Sequence, residues 1–142
     1  MAVIADIADA VVAELNAGDF SQPFPAARCY LPKFDLAEMK DLHVTVVPRG
    51  VAVTSGSRNH NQHDYQIDVA VQKKLTTGDN GEIDALVSLV DEIADRFRLK
   101  RLDNLRAAVW VKTQHEPIYA QEHLDQMRQF TSVMTLTFRM MR

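Results

Sequence analysis

Residues 64–74 read DYQIDVAVQKK, and their alternation decides the fold. Tyr65, Ile67, Val69 and Val71 fall on one side of an extended chain, and Asp64, Gln66, Asp68 and Gln72 on the other. Successive side chains of a strand point to opposite faces, so a period of two predicts a strand with one buried and one polar face. Upstream, LHVTVVP sets Leu42, Val44 and Val46 against His43, Thr45 and Val47. Pro48, Arg49 and Gly50 then predict a turn, after which VAVTS resumes the extended pattern. Downstream, residues 107–113, centred on Trp110, predict another strand, and FTSVMTLTFRMMR predicts a last one. In that last strand Phe130, Met134, Leu136, Phe138 and Met140 share a face; Thr131, Val133, Thr135, Thr137 and Arg139 lie opposite.

Two stretches change period from two to 3.6. Ile4, Ile7, Ala8, Val11 and Leu15 form one apolar stripe, with Asp6, Asp9 and Glu14 mostly off it and Gly18 placed to end the helix. Ile83, Leu86, Val87, Val90, Ile93, Ala94 and Phe97 form a second. Asp79 followed three residues later by Glu82 reads as its capping box. Between the first helix and the strands, SQPFPAARCYLPKF is too rich in proline for a helix and predicts an edge strand around residues 28–31. The polar stretch HEPIYAQEHLDQMRQ has room for a short helix. The order is helix, three or four strands, helix, two strands. Short connections favour antiparallel pairing, so the expectation is an α+β domain spanning residues 1–142: a mostly antiparallel sheet with two amphipathic helices on one face.

Composition narrows the function classes. A net charge of −3 gives no global pull toward nucleic acid or an anionic membrane. Cys29 is the sole cysteine, so an intrachain disulfide and a thiolate metal cluster are both excluded. No apolar run approaches the ~20 residues of a membrane span. The first residues carry Asp6, Asp9 and Glu14 without a basic start, unlike a signal peptide, so an intracellular product is expected.

Candidate chemistry concentrates in SGSRNHNQH, residues 55–63. His60 and His63 could bind a metal with His43 or Asp64 as third ligand, but a spacing of three converges on a helix and this stretch has no helical pattern. Its Gly, Ser and Asn content is that of a hairpin tip. The expectation is therefore a flexible partner-binding loop using Arg58, Asn59, His60 and His63, with Arg49 nearby. No G-x-S-x-G elbow is present, and Cys29 has no histidine beside it. His115 and His123, with Glu116 and Glu122, lie in a polar connector and are expected to be solvated, as are Asp91, Glu92 and Asp95 on the outer side of the second helix. No catalytic residue, metal or cofactor is expected. The run RFRLKRLDNLR places Arg96, Arg98, Lys100 and Arg101 at the end of the second helix. Those cations complement a helix C-terminus, present a patch to a protein neighbour, or contact nucleic acid. The face carrying Thr131, Thr135, Thr137 and Arg139 suits either another subunit or solvent.

Taken in order, PFPAARCYLPKFDLAEMKDL, the strand ending in Val47 and Pro48, and the closing strand that opens Phe130, Thr131, Ser132 resemble the tail-terminator (tail-completion) proteins of long-tailed bacteriophages and prophages. The resemblance implies a fold like that of tail-tube subunits and a structural role without catalysis. It implies a six-membered ring that caps the finished tube, stops its polymerisation and offers the surface on which the head docks. The implied partners are further copies of the chain, the tail tube protein and a head-completion or neck protein, with no membrane or sequence-specific nucleic acid; on this reading the expected subunit and tube contacts are Arg96, Arg98, Lys100 and Arg101 with Thr131, Thr135, Thr137 and Arg139. The implied place is the head-proximal end of the tail in a virion assembled in bacterial cytoplasm. Two alternatives stand beside it: another neck or tail-tube component, and a small histidine-based metal- or ligand-binding domain.

Overall fold

The computed structural model describes residues 2–30, 42–99, 101–102, 105–115 and 118–142. The elements run α1 (Val3–Ala17), β1 (Ala26–Arg28), β2 (His43–Ser55), β3 (Asn61–Lys74), α2 (Asn80–Phe97), β4 (Arg101–Leu102), β5 (Leu105–Gln114), α3 (Gln121–Met127) and β6 (Gln129–Met141). The strands form one six-stranded sheet in the order β1-β2-β3-β6-β5-β4. This is the expected α+β class. All pairings are antiparallel except β1 with β2, which is parallel.

β3 and β6 are the spine of the sheet. Their register sets Tyr65 opposite Phe138, Ile67 opposite Leu136 and Val69 opposite Met134, so the two apolar faces read from the sequence coincide. Against that face pack Ile7, Val11 and Leu15 of α1 and Leu86, Leu89, Val90, Ile93 and Phe97 of α2, all buried. Phe97 meets Phe138 edge-on, with ring centroids 6.3 Å apart. Burying each such side chain contributes about 1.5–3 kcal/mol of transfer free energy.

The α2 N-terminus is a capping box with its return half displaced. Asp79 Oδ1 accepts from the Glu82 N–H at 2.9 Å, as expected. The Glu82 carboxylate reaches past Asp79 and accepts from the backbone N–H groups of Thr76 (2.7 Å) and Thr77 (3.0 Å) and from the Thr77 hydroxyl. It thereby ties the incoming loop to the helix. At the end of α1, the Phe20 ring lies directly over Gly18, where a Cβ would have to displace it.

Four expectations are corrected. Pro48, Arg49 and Gly50 make no turn; β2 runs straight through them with a register shift between Pro48 and Gly50, a β-bulge. The bulge reverses the alternation, so Val51 and Val53 lie on the same face as Val44 and Val46. The edge strand is β1 at Ala26–Arg28 rather than at residues 28–31, and Leu31 lies outside the described residues. The tip between β2 and β3 is confined to residues 56–60, because Ser55, Asn61, Gln62 and His63 are paired strand residues. Glu14, expected off the apolar stripe, is buried.

Candidate functional site

The sheet face opposite the helices carries most of the singled-out residues. The bulge at Arg49 directs its guanidinium across β3. Its Nη1 donates to Thr135 Oγ1 at 3.0 Å and lies 3.6 Å from Asp68 Oδ1, and the Thr135 hydroxyl donates to the same Asp68 oxygen at 2.7 Å. Nearer the hairpin tip, Arg139 Nε and Nη2 donate to the two oxygens of Asp64 at 2.8 and 3.2 Å. Hydrogen bonding from Arg139 holds the Asp64 carboxyl below the usual carboxylate range, and the same contact raises Arg139. Arg49 and Arg139 thus each face a carboxylate on a neighbouring strand of the same chain.

The threonines of β6 belong to this arrangement. Thr131, Thr135 and Thr137 are buried within the subunit. Thr131 accepts from Gln129 Nε2 at 3.1 Å, and the Thr137 hydroxyl finds no hydrogen-bond partner among the described residues. Of the same face, Val133 is the exposed residue, at 42%. Thr131 and Thr135 are thus engaged by the chain's own polar network, and the Thr137 hydroxyl is not.

The hairpin tip separates the histidines. His60 lies in the tip, closed by the Ser57 N–H donating to the His60 carbonyl at 2.8 Å. His63 lies in β3, stacked on Tyr65 with centroids 6.0 Å apart. His43 pairs with Gln72 and His63 with Val53, nine β3 residues apart, on the order of 30 Å at ~3.3 Å per residue. His43 therefore cannot be a third ligand with His63. Among the described residues no group of three or more histidine, cysteine, aspartate or glutamate side chains could hold a metal ion. Arg58 and Asn59 are exposed in the tip. At the hairpin base, Asn61 and Arg142 exchange backbone N–H and carbonyl groups, and Arg142 Nη1 donates to the Tyr65 hydroxyl at 3.0 Å.

The basic run divides. Arg96 turns inward and donates from Nη2 to Glu14 Oε2 at 3.2 Å, joining the two helices, while its Nε is buried without a partner among the described residues. Arg98 is exposed, 4.0 Å from Asp95. Lys100 lies outside the described residues, and Arg101 is described by its backbone, in β4. Glu92 is likewise structural, since its carboxylate accepts from the N–H and hydroxyl of Ser21. His115 is half-buried rather than solvated, with Nε2 2.6 Å from Ser132 Oγ, and burial pushes its pKa down. His123 is described by its backbone alone, in α3, and Glu116 lies outside the described residues.

Sequence reasoning missed the Glu14–Arg96 pair, yet Glu14 continues the spacing Ile7, Ala10, Val11 on the stripe it was read as avoiding. The His115–Ser132 contact left no signal, because it joins residues 17 apart across the α3 connection.

No family model matches the chain, and no curated protein sequence matches it. Among solved structures it is similar in fold to a chain of the virion of a native gene transfer agent (GTA) particle, covering 100% of both chains at a TM-score of 0.63 and 14% identity. The chain also aligns with a structure described as the sheath/tube terminator of an extracellular contractile injection system, PVC, in its extended state. That alignment covers 100% of this chain and 57% of the other at a TM-score of 0.42 and 16% identity. The class of the protein is therefore an α+β fold that also occurs, end to end, in a chain of a gene transfer agent virion.

Proposed function

We propose that this chain is a structural component of a phage-like tail: a tail-completion subunit that closes into a six-membered ring. The ring caps the finished tube, stops its polymerisation and presents the docking surface for the head. The observation that carries the reading is the end-to-end fold likeness to a chain of a gene transfer agent virion. The resemblance of the strand and helix order to tail terminators supplies the finer role.

On this reading the chain works by its surfaces and not by catalysis. Its partners are its own copies, the tail tube protein and a head-completion or neck protein, and its place is the head-proximal end of the tail. A terminator must bind the last tube ring with one face and refuse another tube ring with the other, which a heterologous ring with two unlike faces provides. The tip at residues 56–60, with Arg58, Asn59 and His60, is the segment proposed to meet tube or head. Ordering such a loop costs about 1–2 kcal/mol per residue of backbone, so contact is favoured where a complementary assembled surface is presented.

Native mass spectrometry across protein concentration, with and without added zinc, tests the reading. The expected species is a hexamer of the 16.0 kDa chain, indifferent to zinc. A monomer or dimer retaining one zinc per chain would favour the histidine-based metal-binding alternative instead.

A further inference from the structure

Among the described residues, both outer long strands of the sheet have stretches of unpaired backbone, and the register shows which groups face outward. Asn61 exchanges both backbone hydrogen bonds with Arg142, so odd-numbered residues of β3 bond toward β6 and even-numbered ones toward β2. Val44, Val46 and Pro48 of β2 therefore turn outward, consistent with the Cys29 N–H donating to the Val46 carbonyl. Beyond the bulge the outward set becomes Val51, Val53 and Ser55, opposite Tyr65, His63 and Asn61. Among the described residues, nothing pairs with this outer edge after Val46. On the other side, Val109, Lys112 and Gln114 of β5 face odd-numbered residues of β6 and bond inward. Trp110 and Thr113 face Phe138 and Leu136 and turn outward. Here β4 covers β5 at Leu105 and Val109.

An open edge with exposed apolar side chains is a template for another strand. Val51 and Val53 are 52% and 53% exposed, and no lysine or proline interrupts residues 51–55. The two open stretches lie at diagonally opposite corners: β1 closes the His43 end of β2, and β4 the Leu105 end of β5. Because β2, β3, β6 and β5 alternate in direction, β2 of a copy rotated about an axis along the strands runs antiparallel to β5 of its neighbour. The diagonal offset requires neighbouring sheets to be staggered, which is what strand tilt produces when a sheet closes on itself.

We infer that residues 51–55 of one copy add as an antiparallel strand to residues 110–113 of the next copy, so that the sheet continues from subunit to subunit. The occupant of each edge is the other edge of the same chain, a heterologous contact that can close a ring. The inference rests on the ring reading and supplies its seam, away from the threonines of β6.

Val53→Pro tests it, because the Val53 N–H faces outward and its loss leaves the β2–β3 ladder whole. By native mass spectrometry the wild-type chain forms the oligomer, while Val53→Pro is monomeric with a melting temperature within a few degrees of wild type. Its β5 edge is intact, so an excess of Val53→Pro breaks wild-type oligomers into smaller mixed species. Hydrogen exchange at Val51, Val53, Ser55, Trp110 and Thr113 is at least tenfold slower in the wild-type oligomer than in the variant. A variant that assembles like wild type, or oligomers without that protection, would overturn the seam and leave the ring standing on another surface. A wild-type chain that stays monomeric at every concentration overturns the second copy as occupant, since two open edges need no template. Tail completion would then test the ring separately.

Discussion

At the scale of single residues, two buried or half-buried polar groups tie stability to pH and to substitution. His115 accepts at Nε2 from Ser132 or donates to it, and its pKa is lowered, first by burial; the Ile118 backbone and the charge of Asp91 act against that. A lowered folded pKa means that the unfolded chain binds more protons, so stability rises with pH through this range. The contribution of His115 is complete above its unfolded pKa of about 6.5 and is lost as pH falls below it. Urea unfolding at pH 7.5, 6.5 and 5.5 is expected to show a loss toward acid, with a slope from this group of at most about 1.4 kcal/mol per pH unit. His115→Gln should flatten that slope while the carboxylate-dependent loss below pH ~4 remains. The second group is Glu14, buried and bound to Arg96. Removing one partner strands the other: Glu14→Ala is expected to cost about 2–4 kcal/mol in chemical denaturation, at or somewhat below the fully buried range because Arg96 keeps some exposure. Replacing both by leucine should recover most of the loss; a double variant no better than Glu14→Ala would mean that the cost lies in packing.

At the scale of elements, legibility in the sequence followed the range of the forces. The period-two alternation of residues 64–74 and the 3.6-residue stripe ending in Phe97 read correctly because each is fixed by one face against one core. The Asp79 half of the capping box read correctly because Asp79 and Glu82 meet within a single turn, whereas the Glu82 side chain went to a loop outside that turn. Pro48, Arg49 and Gly50 misled because turn and bulge use the same residues; a neighbouring strand decides between them, and that strand is not local. Pro48 fits the bulged strand because its position faces the open edge, where no N–H is required. Glu82 gives an element-scale prediction. Burial opposes its charge, while N–H donors from Thr77 and Thr76 outweigh that and hold its pKa below the usual range. Asp79→Ala is expected to cost about 1 kcal/mol as a lost cap. Glu82→Ala should cost a comparable amount, because it releases the Thr76–Thr77 loop from the helix. Thermal melts of both variants check this, and a neutral Glu82→Ala would show that the loop is held by other contacts.

At the scale of the whole molecule, the class of fold was legible and the distribution of the site was not. A stretch such as SGSRNHNQH looks like one unit in sequence, yet the hairpin register gives His63 to a strand and leaves His60 in the tip. The threonines of β6 look like a free surface, yet Asp68 and Arg49 arrive from two other strands to bond Thr135. What the tip does must therefore be tested without cutting the ladder. A deletion of residues 58–62 would remove Asn61 and Gln62, which pair with Ser55 and Thr54 and, through Asn61, with Arg142. Replacing Arg58, Asn59 and His60 together with serine keeps the length of the loop and spares every strand pair. The substituted loop is expected to leave unfolding free energy within about 0.5 kcal/mol of wild type, because surface changes away from packed features are usually that small. If the tip is the segment that waits for tube or head, the same variant should form the oligomer normally and yet leave tails unattached to heads when particles are counted by electron microscopy. Normal completion of particles by a stable triple-serine variant would remove the tip side chains from the function and leave docking to the rest of the ring.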